Sequence, residues 1–347
     1  MTDVLVVNAG STSLKLHLVD AHGASTAVAS LDAVDPATVV AVAHRVVHGG
    51  PDFRDPVIID ASVRDEIFAL EDLAPIHNAP ALRAIEDAEQ RLPQLPQIAV
   101  FDTAFHATMP AAAATYALPA RWREDWGIRR YGFHGLSVRW SAEQVRVPRL
   151  VVCHLGGGCS VSAVADGRSV DTTMGFSPLD GIPMSTRSGS VDPQALIYVL
   201  RTTGSGIDEL DHDLNFASGL LGLGGSADMR VIEAAGGGLA LDVFVHRLAG
   251  AIAAMTASLG GLDALVFTAG IGEGSALVRE RVCARLGFLG VELDRERNQS
   301  ARPDCEIAAA HAPARVWVIR AREELVAAHL AWGLLRTHRG AQHDTGS

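Results

Sequence analysis

The chain has 347 residues, 48% apolar and 20% charged, with a formal net charge of −11. That length favours two domains over one, and the composition is that of a globular enzyme. The acidic balance, with no long basic run, argues against a nucleic-acid backbone as partner. The four cysteines, at 153, 159, 283 and 305, form no C-x-x-C pair, which argues against a zinc site or a disulfide framework and for reduced thiols in a cytoplasmic protein.

Residues 4–20, VLVVNAGSTSLKLHLVD, read as a strand, a Gly/Ser turn and a second strand, with no signal sequence before them. Residues 39–47 read as a strand ending at Gly49-Gly50, residues 61–71 and 80–92 have helical spacing with Pro80 as a first-turn residue, and 97–101 form a short strand with Asp102 at its carboxyl end. Ser137 is placed to cap a helix through Val145. Residues 150–166, LVVCHLGGGCSVSAVAD, then repeat the strand–turn–strand pattern about 145 residues after its first appearance. Hairpins tipped with glycine and hydroxyl residues offer backbone N–H groups to an anion. Two of them point to two similar domains serving one phosphorylated ligand.

A 22-residue stretch without periodicity follows, 172–193, and a loop that long is usually functional. Asp192 and Pro193 open the next helix as N-cap and first residue. A long helix is expected over 239–259, stopped by Gly260-Gly261. The most apolar stretch, Leu248–Leu262, is too short to span a membrane. A buried strand at 264–268 leads into the turn AGIGEGS and a helix from 276; a strand at 315–319 and a helix at 322–335 finish the chain, and the polar tail from 336 is expected to be irregular. Strands alternating with helices define an α/β protein.

Several motifs invite rival readings. His44 and His48 are four apart, but Arg45-Val46-Val47 between them lacks a metalloprotease glutamate and the context is a strand. The AGIGEGS loop is G-x-G-x-G rather than the dinucleotide fingerprint, no Walker A sequence occurs, and no serine sits in a G-x-S-x-G elbow. What remains is Arg45 before Gly-Gly, Asp102 at a strand end, His134 in YGFHG, and Arg187, the one cation of the 172–193 loop. Asp228 and Arg230 stand in GGSADMR, and Glu323 and Glu324 begin the last helix. Cations for equatorial oxygens, a carboxylate for Mg²⁺ and glycine-rich turns for phosphates are the equipment of phosphoryl transfer.

Ten segments carry a more specific likeness: NAGSTSLK (8–15), HRVVHGG (44–50), LAPIHNAP (73–80), VFDTAFHATMP (100–110), YGFHG (131–135), CHLGGGCS (153–160), MGFSPLDGIPMSTRSGSVDP (174–193), SADMR (226–230), FTAGIGE (267–273) and REEL (322–325). In these segments, in order, the chain resembles the acetate kinase family, within the acetate and sugar kinase, heat-shock chaperone and actin superfamily. The resemblance implies two actin-like (ribonuclease H-like) domains with an interdomain active-site cleft. The first would comprise 1–106 plus 326–340 and the second 107–325, with 341–347 as a tail. It implies ATP and Mg²⁺ (or Mn²⁺) as reactants, acetate, acetyl phosphate and ADP as the other partners, and direct in-line transfer. It also implies a cytoplasmic homodimer with no nucleic-acid or membrane partner, serving acetyl-CoA formation.

Residue by residue, Asn8 and Glu323 match the positions near the metal. Arg45 and Arg187 match the pair holding carboxylate and phosphoryl, His134 the histidine that stabilises the transition state with Arg187, and Asp102 the residue that orients the site. Arg45, Val47, Ile76, Phe133 and Pro178 would form the acyl pocket. Lys15, His154, Leu155, Gly156, Gly157, Gly158, Asp228, Met229, Arg230, Gly270, Ile271, Gly272 and Gly274 would serve the nucleotide. His77 matches a further active-site histidine. Acetate is already ionised at pH 7, so Asp102 is expected to orient rather than to act as a base. Three departures stand out: glycine at 157 and at 274, where the family usually has asparagine, and a shortened stretch between Asp20 and His44. The first two bear on nucleotide affinity and choice. Propionate kinase is the near alternative, and a catalytically weak ATP-binding relative the distant one.

Overall fold

The computed structural model describes residues 3–9, 14–70 and 75–344, with the side chains of 75–77 and 339–344 outside that description. The tips of the first hairpin, including Ser11 and Ser13, therefore lie outside the described residues. Contacts divide the chain into two compact units: unit 1 is Met1–Ala107, Phe133–Trp140 and Arg322–Ser347, and unit 2 is Thr108–Gly132 and Ser141–Ala321.

Unit 1 is built on six strands, β1 (Asp3–Ala9), β2 (Leu14–Val19), β3 (Ser25–Val28), β4 (Val39–Val46), β5 (Val57–Ile58) and β6 (Gln97–Phe101), arranged β3-β2-β1-β4-β6-β5. β1 runs antiparallel to β2 and parallel to β4, and β4 runs parallel to β6. The central strands are apolar runs because both faces are covered. Helix Pro75–Arg91 packs on β4 and β1, burying Ala88, with Leu92 just past its end, beside Leu5, Val7 and Val42. Helix Ala61–Ala69 adds Ile67 to a second cluster with Val46, Ile85 and Phe101, and is capped by Asp60, whose carboxylate accepts from Val63 N at 2.9 Å. Helix Glu323–Asp344 packs on β1, β4, β2 and β6.

Unit 2 has β7 (Arg149–Leu155), β8 (Cys159–Ala165), β9 (Arg168–Thr172), β10 (Ala264–Thr268), β11 (Cys305–Glu306) and β12 (Arg315–Val318), in the order β11-β12-β10-β7-β8-β9. Adding six to every strand number of the first sheet gives the second, so the repeat legible in the two hairpins extends to whole sheets. Helix Gly238–Leu259 buries Leu241, Phe244, Val245, Leu248 and Ile252 and packs on β7 and β8. At 22 residues it has the length and apolarity of a membrane span, longer than the apolar stretch read from the sequence, but its contacts are those of a core helix.

Several local expectations are corrected. Pro80 lies inside its helix rather than opening it, because Pro75 takes the first-turn position. The helix assigned to Ser137 starts at Gly135 instead. His134 adopts φ 59°, Gly135 N donates to Asp102 O at 3.1 Å, and a Cβ at 135 would lie 2.0 Å from that oxygen. AGIGEG is not a turn but a short helix, Ala269–Gly274, broken at Ser275 before helix Ala276–Cys283. The last helix continues to Asp344, past the end expected at 335. The loop 173–192 is free of helix and strand, and Asp192 caps helix Pro193–Thr203 as expected, accepting from Gln194 N at 2.9 Å.

Candidate active site

In unit 1 the strand ends bring four expected residues together. Parallel pairing of β1 with β4 puts Asn8 opposite Arg45. Asn8 Oδ1 accepts from Arg45 Nη1 at 3.0 Å, and Asn8 Nδ2 donates to Glu323 Oε2 at 3.2 Å. Asp102, just past β6 and fully buried, accepts from Arg45 Nε at 3.0 Å and from Nη2 at 2.5 Å. Glu323 Oε2 lies 3.8 Å from Arg45 Nε. Burial raises the Asp102 carboxyl, opposed by the Arg45 charge and its hydrogen bonds. Burial alone would lower Arg45, but the charges of Asp102 and Glu323 reverse this and hold it above its ordinary value. A fork-to-fork contact of this geometry joins a guanidinium to an ionised carboxylate.

The same carboxylate accepts a hydrogen bond from the His134 backbone N–H, so Asp102 fixes both Arg45 and the start of the segment carrying His134. Phe133 is buried, its ring edge-on to His48 at 5.5 Å and its carbonyl bonded to His106 Nε2 at 2.9 Å. Val47 is buried in the same unit. Lys15 is exposed on β2, in register with Asn8. The side chains of Ile76 and His77 lie outside the described residues. His44 bonds to Gln97 Oε1 at 2.8 Å, and His48 Nδ1 accepts from Gly50 N at 2.9 Å. Both are part of the scaffold.

Unit 2 holds the remaining expected residues. Arg187 donates to Pro178 O at 2.7 Å, and no carboxylate lies within salt-bridge distance of it among the described residues. Burial lowers its pKa. A largely enclosed guanidinium with no carboxylate beside it has donors left over that would suit an anion. A cavity of about 660 Å³ brings three glycine-bearing turns together: Gly156 and Gly157 from the second hairpin, Asp228, Met229 and Arg230 from the helix start after β9, and Gly270, Ile271 and Gly274 from the segment after β10. Its size suits a nucleoside. Leu155 and Gly272 are buried beside it without lining it, and His154 is buried at the end of β7, in register with Thr268. At the hairpin tip, Gly156 N donates to Gly158 O at 2.9 Å. Asp228 caps helix Met229–Ala234 and takes Arg230 Nη2 at 2.6 Å, a contact that lowers its pKa.

Sequence reasoning missed the residues that hold these loops. Arg279 is 2% exposed; its Nη1 donates to Gly272 O and Glu273 O, both at 2.9 Å, while Nε and Nη2 reach Asn298 Oδ1 at 2.8 Å and Asn298 O at 2.9 Å. It thus satisfies the terminal carbonyls of the short helix Ala269–Gly274. Glu273 Oε1 accepts from Ala269 N at 3.1 Å and Ala321 N at 2.8 Å, securing the left-handed Ala269 at φ 65°. Arg130 Nη1 donates to the carbonyls of Thr172, Thr173 and Met174, and the Tyr116 hydroxyl accepts from Phe176 N, fixing the start of the loop that carries Pro178 and Arg187. A signal for Arg279 was present: helical spacing puts it on the face of Val282 and Cys283.

A duplicated α/β sheet with charged groups at its strand ends is the architecture of the actin-like class, and the family comparisons make the chain a kinase, a phosphotransferase with a carboxyl acceptor. The acetokinase family model matches residues 30–329, and the chain belongs to that family. It is 50% identical to an acetate kinase of Protochlamydia amoebophila over 294 residues, 82% of this chain and 74% of that protein. It is 48% identical to one of Nostoc sp. over 330 residues, 91% and 80% of the two chains. Among solved structures, a propionate kinase from Francisella tularensis superposes with a TM-score of 0.88 at 35% identity, covering 95% of this chain and 99% of that one. An acetate kinase of Porphyromonas gingivalis gives 0.86 at 30% identity, covering 96% and 100%. The family uses ATP as co-substrate.

Proposed function

We propose that the chain catalyses reversible, Mg²⁺-dependent transfer of the γ-phosphoryl group of ATP to acetate, giving acetyl phosphate and ADP by direct in-line attack. The observation that carries this reading is the Asn8–Arg45–Asp102–Glu323 cluster, which presents one fixed guanidinium and leaves no carboxylate idle to act as a base. One acetate oxygen bonds to the γ-phosphorus as the bond to the β–γ bridging oxygen breaks, and that oxygen leaves on ADP. No proton needs to move, because acetate is ionised at pH 7. The barrier is like-charge repulsion, which permanently charged guanidinium groups offset. Arg45 receives the carboxylate, oriented by Asp102, and Arg187 and His134 stabilise the transferring group. Val47, Ile76, Phe133 and Pro178 bound the methyl. Lys15, the tip N–H groups of Gly157 and Gly158, and His154 serve the phosphates. The cavity of Asp228, Met229, Arg230, Gly270 and Ile271 takes the nucleoside, backed by Leu155, Gly156, Gly272 and Gly274.

Mg²⁺ fits Asn8 and Glu323. Their side chains are hydrogen-bonded neighbours; Glu323 would supply a carboxylate oxygen, and Asn8 would supply its Oδ1, which accepts from Arg45 here, while no cluster of three His, Cys, Asp or Glu side chains occurs among the described residues. Mg²⁺ draws most of its ligands from phosphate and water, so one carboxylate and one amide suffice. When bound it neutralises phosphate charge. We further propose that units 1 and 2 are the two actin-like domains and that the protein is a cytoplasmic homodimer without nucleic-acid or membrane partners. The exposed Ile197, Tyr198, Ile207 and Phe216, on two helices that bury no residue, supply an apolar face for a second copy.

The test is acyl hydroxamate formation from ATP, Mg²⁺, hydroxylamine and either acetate, propionate or butyrate. Product with acetate is expected, and no product with any acid sinks the kinase reading. Propionate is the second reading, favoured by the Francisella tularensis likeness. One methylene is worth only about 1–3 kcal/mol of discrimination, so the ratio of kcat/KM values decides it.

A further inference from the structure

Asn78 follows Ile76 and His77 in helix Pro75–Arg91 and is fully buried. It lies one turn before Ala81 and Leu82, on the helix face that packs against Val46 and Phe101 of the sheet. Its amide is turned on a single residue of another element. Oδ1 accepts from His48 N at 3.1 Å, and Nδ2 donates to His48 O at 3.1 Å. These are the two bonds that a paired residue on a neighbouring strand would make. They continue the pairing of β4 two residues beyond its end at Val46. His48 is fully buried as well, so water cannot take over either bond.

The next two N–H groups are also met by side chains. Gly49 N donates to Thr103 Oγ1 at 3.0 Å, and Gly50 N donates to His48 Nδ1 at 2.9 Å. The chain leaving β4 is thus held at three successive residues, and the Asn78 bonds are those that tie it to the helix. Three residues assigned above to the methyl of the acid depend on this junction. Val47 precedes His48 in the chain, Phe133 stands edge-on to the His48 ring at 5.5 Å, and Ile76 is two residues before Asn78.

We propose that Asn78 is a positioning residue that sets the width of the acid pocket, and with it the discrimination between acetate and the longer propionate. This rests on the reading of Val47, Ile76 and Phe133 as walls of that pocket. An extra methylene is rejected only as far as the walls refuse to move apart. A buried polar network whose bonds are all made holds one geometry, and a close-packed interior passes a local displacement on to its neighbours. Releasing the amide from His48 therefore loosens the pocket without removing any group that touches the acid.

The experiment is the hydroxamate assay on the full chain with acetate and with propionate. In Asn78→Ala the ratio of kcat/KM for acetate to that for propionate should move towards propionate by about fivefold or more, with the KM for ATP within about threefold of wild type. Thr103→Val, which removes only the Gly49 anchor of the same turn, should leave the ratio within about twofold. An unmoved ratio in folded Asn78→Ala, or an equal shift in Thr103→Val, overturns the assignment to Asn78. Hydrogen exchange of the 47–50 segment in wild type stands as a test even if Asn78→Ala does not fold. Exchange as slow as in β4 with no acid present is expected. Fast exchange that slows only when acetate is added overturns a preset wall. No hydroxamate from any acid in wild type sinks the kinase reading and this assignment with it. Product in wild type with an unmoved ratio in Asn78→Ala sinks this assignment alone.

Discussion

Asp102→Asn isolates the orienting role of the buried carboxylate. The substitution keeps the shape, retains one acceptor and turns an NH₂ group against a guanidinium that now donates at 3.0 Å and 2.5 Å to two carboxylate oxygens. One charge-assisted hydrogen bond is lost, about 1.5–3 kcal/mol. A buried guanidinium is also left without its ion-pair partner, which brings the total cost of such a break to about 3–5 kcal/mol. Arg45 keeps Asn8 Oδ1 at 3.0 Å and Glu323 at 3.8 Å, which puts the net cost near the lower end, about 3 kcal/mol. If this appears in the transition state, kcat/KM for acetate falls about 10²-fold, at 1.36 kcal/mol per decade. The hydroxamate assay with varied acetate at saturating ATP measures that loss. Varied ATP should return a KM within about threefold of wild type, because Asp102 orients the acid side. A loss under tenfold in a variant with unchanged melting temperature, or a loss confined to the ATP KM, would refute the reasoning.

Arg187→Ala should lose about 10²–10³ in kcat while still binding MgATP in calorimetry, and near-normal turnover removes Arg187 from its role. Arg279→Met should raise the KM for ATP by about tenfold with the KM for acetate unchanged, and Arg279→Lys should recover part of the loss. A lowered melting temperature with both KM values unchanged would leave Arg279 a purely structural residue. Burial holds the His44 and His106 imidazoles down to about 4, below the 6.5 of an exposed histidine. As pH falls below 6.5 the unfolded chain takes up protons that the folded chain refuses, so stability present above pH 6.5 is lost towards pH 4. The loss reaches about 3 kcal/mol per histidine. Urea midpoints at pH 7 and 4.5 test this, and equal midpoints contradict it. His44→Gln should flatten the slope.

The eight strands at the centres of the two sheets were legible because each is an apolar run bounded by glycine or polar residues. β3, β5, β9 and β11 were not. They are short strands of two to five residues, and STAV or CE carries too little periodicity to register. The helices at Gly219–Gly224 and Ala269–Gly274 were hidden by their glycines, whose low intrinsic propensity is overridden by tertiary support such as the Arg279 clamp. Arg45, Asp102 and Arg187 were legible as charges in places where charge is costly: a strand end, a strand end, and an apolar loop. Arg279 was masked by the charged neighbours of its helix despite sharing the face of Val282 and Cys283, and Arg130, beside a second arginine, reads as surface. Only the fold shows that their donors are turned mainly towards backbone carbonyls.

The order of the segments in unit 1 also has a consequence for how the protein is made. Its sheet is complete once residue 101 has been synthesised, but the helix Glu323–Asp344 that covers β1, β4, β2 and β6 comes after the whole of unit 2. At ribosomal rates of about 5–20 residues per second, the intervening 215 or so residues take roughly 10–40 s. For that interval an apolar sheet face is without its cover, and Glu323 is missing from the site. Unit 2, which lies between these segments, can mature first. A nascent chain arrested before residue 322 would therefore carry a finished unit 2 and a unit 1 whose sheet face is uncovered.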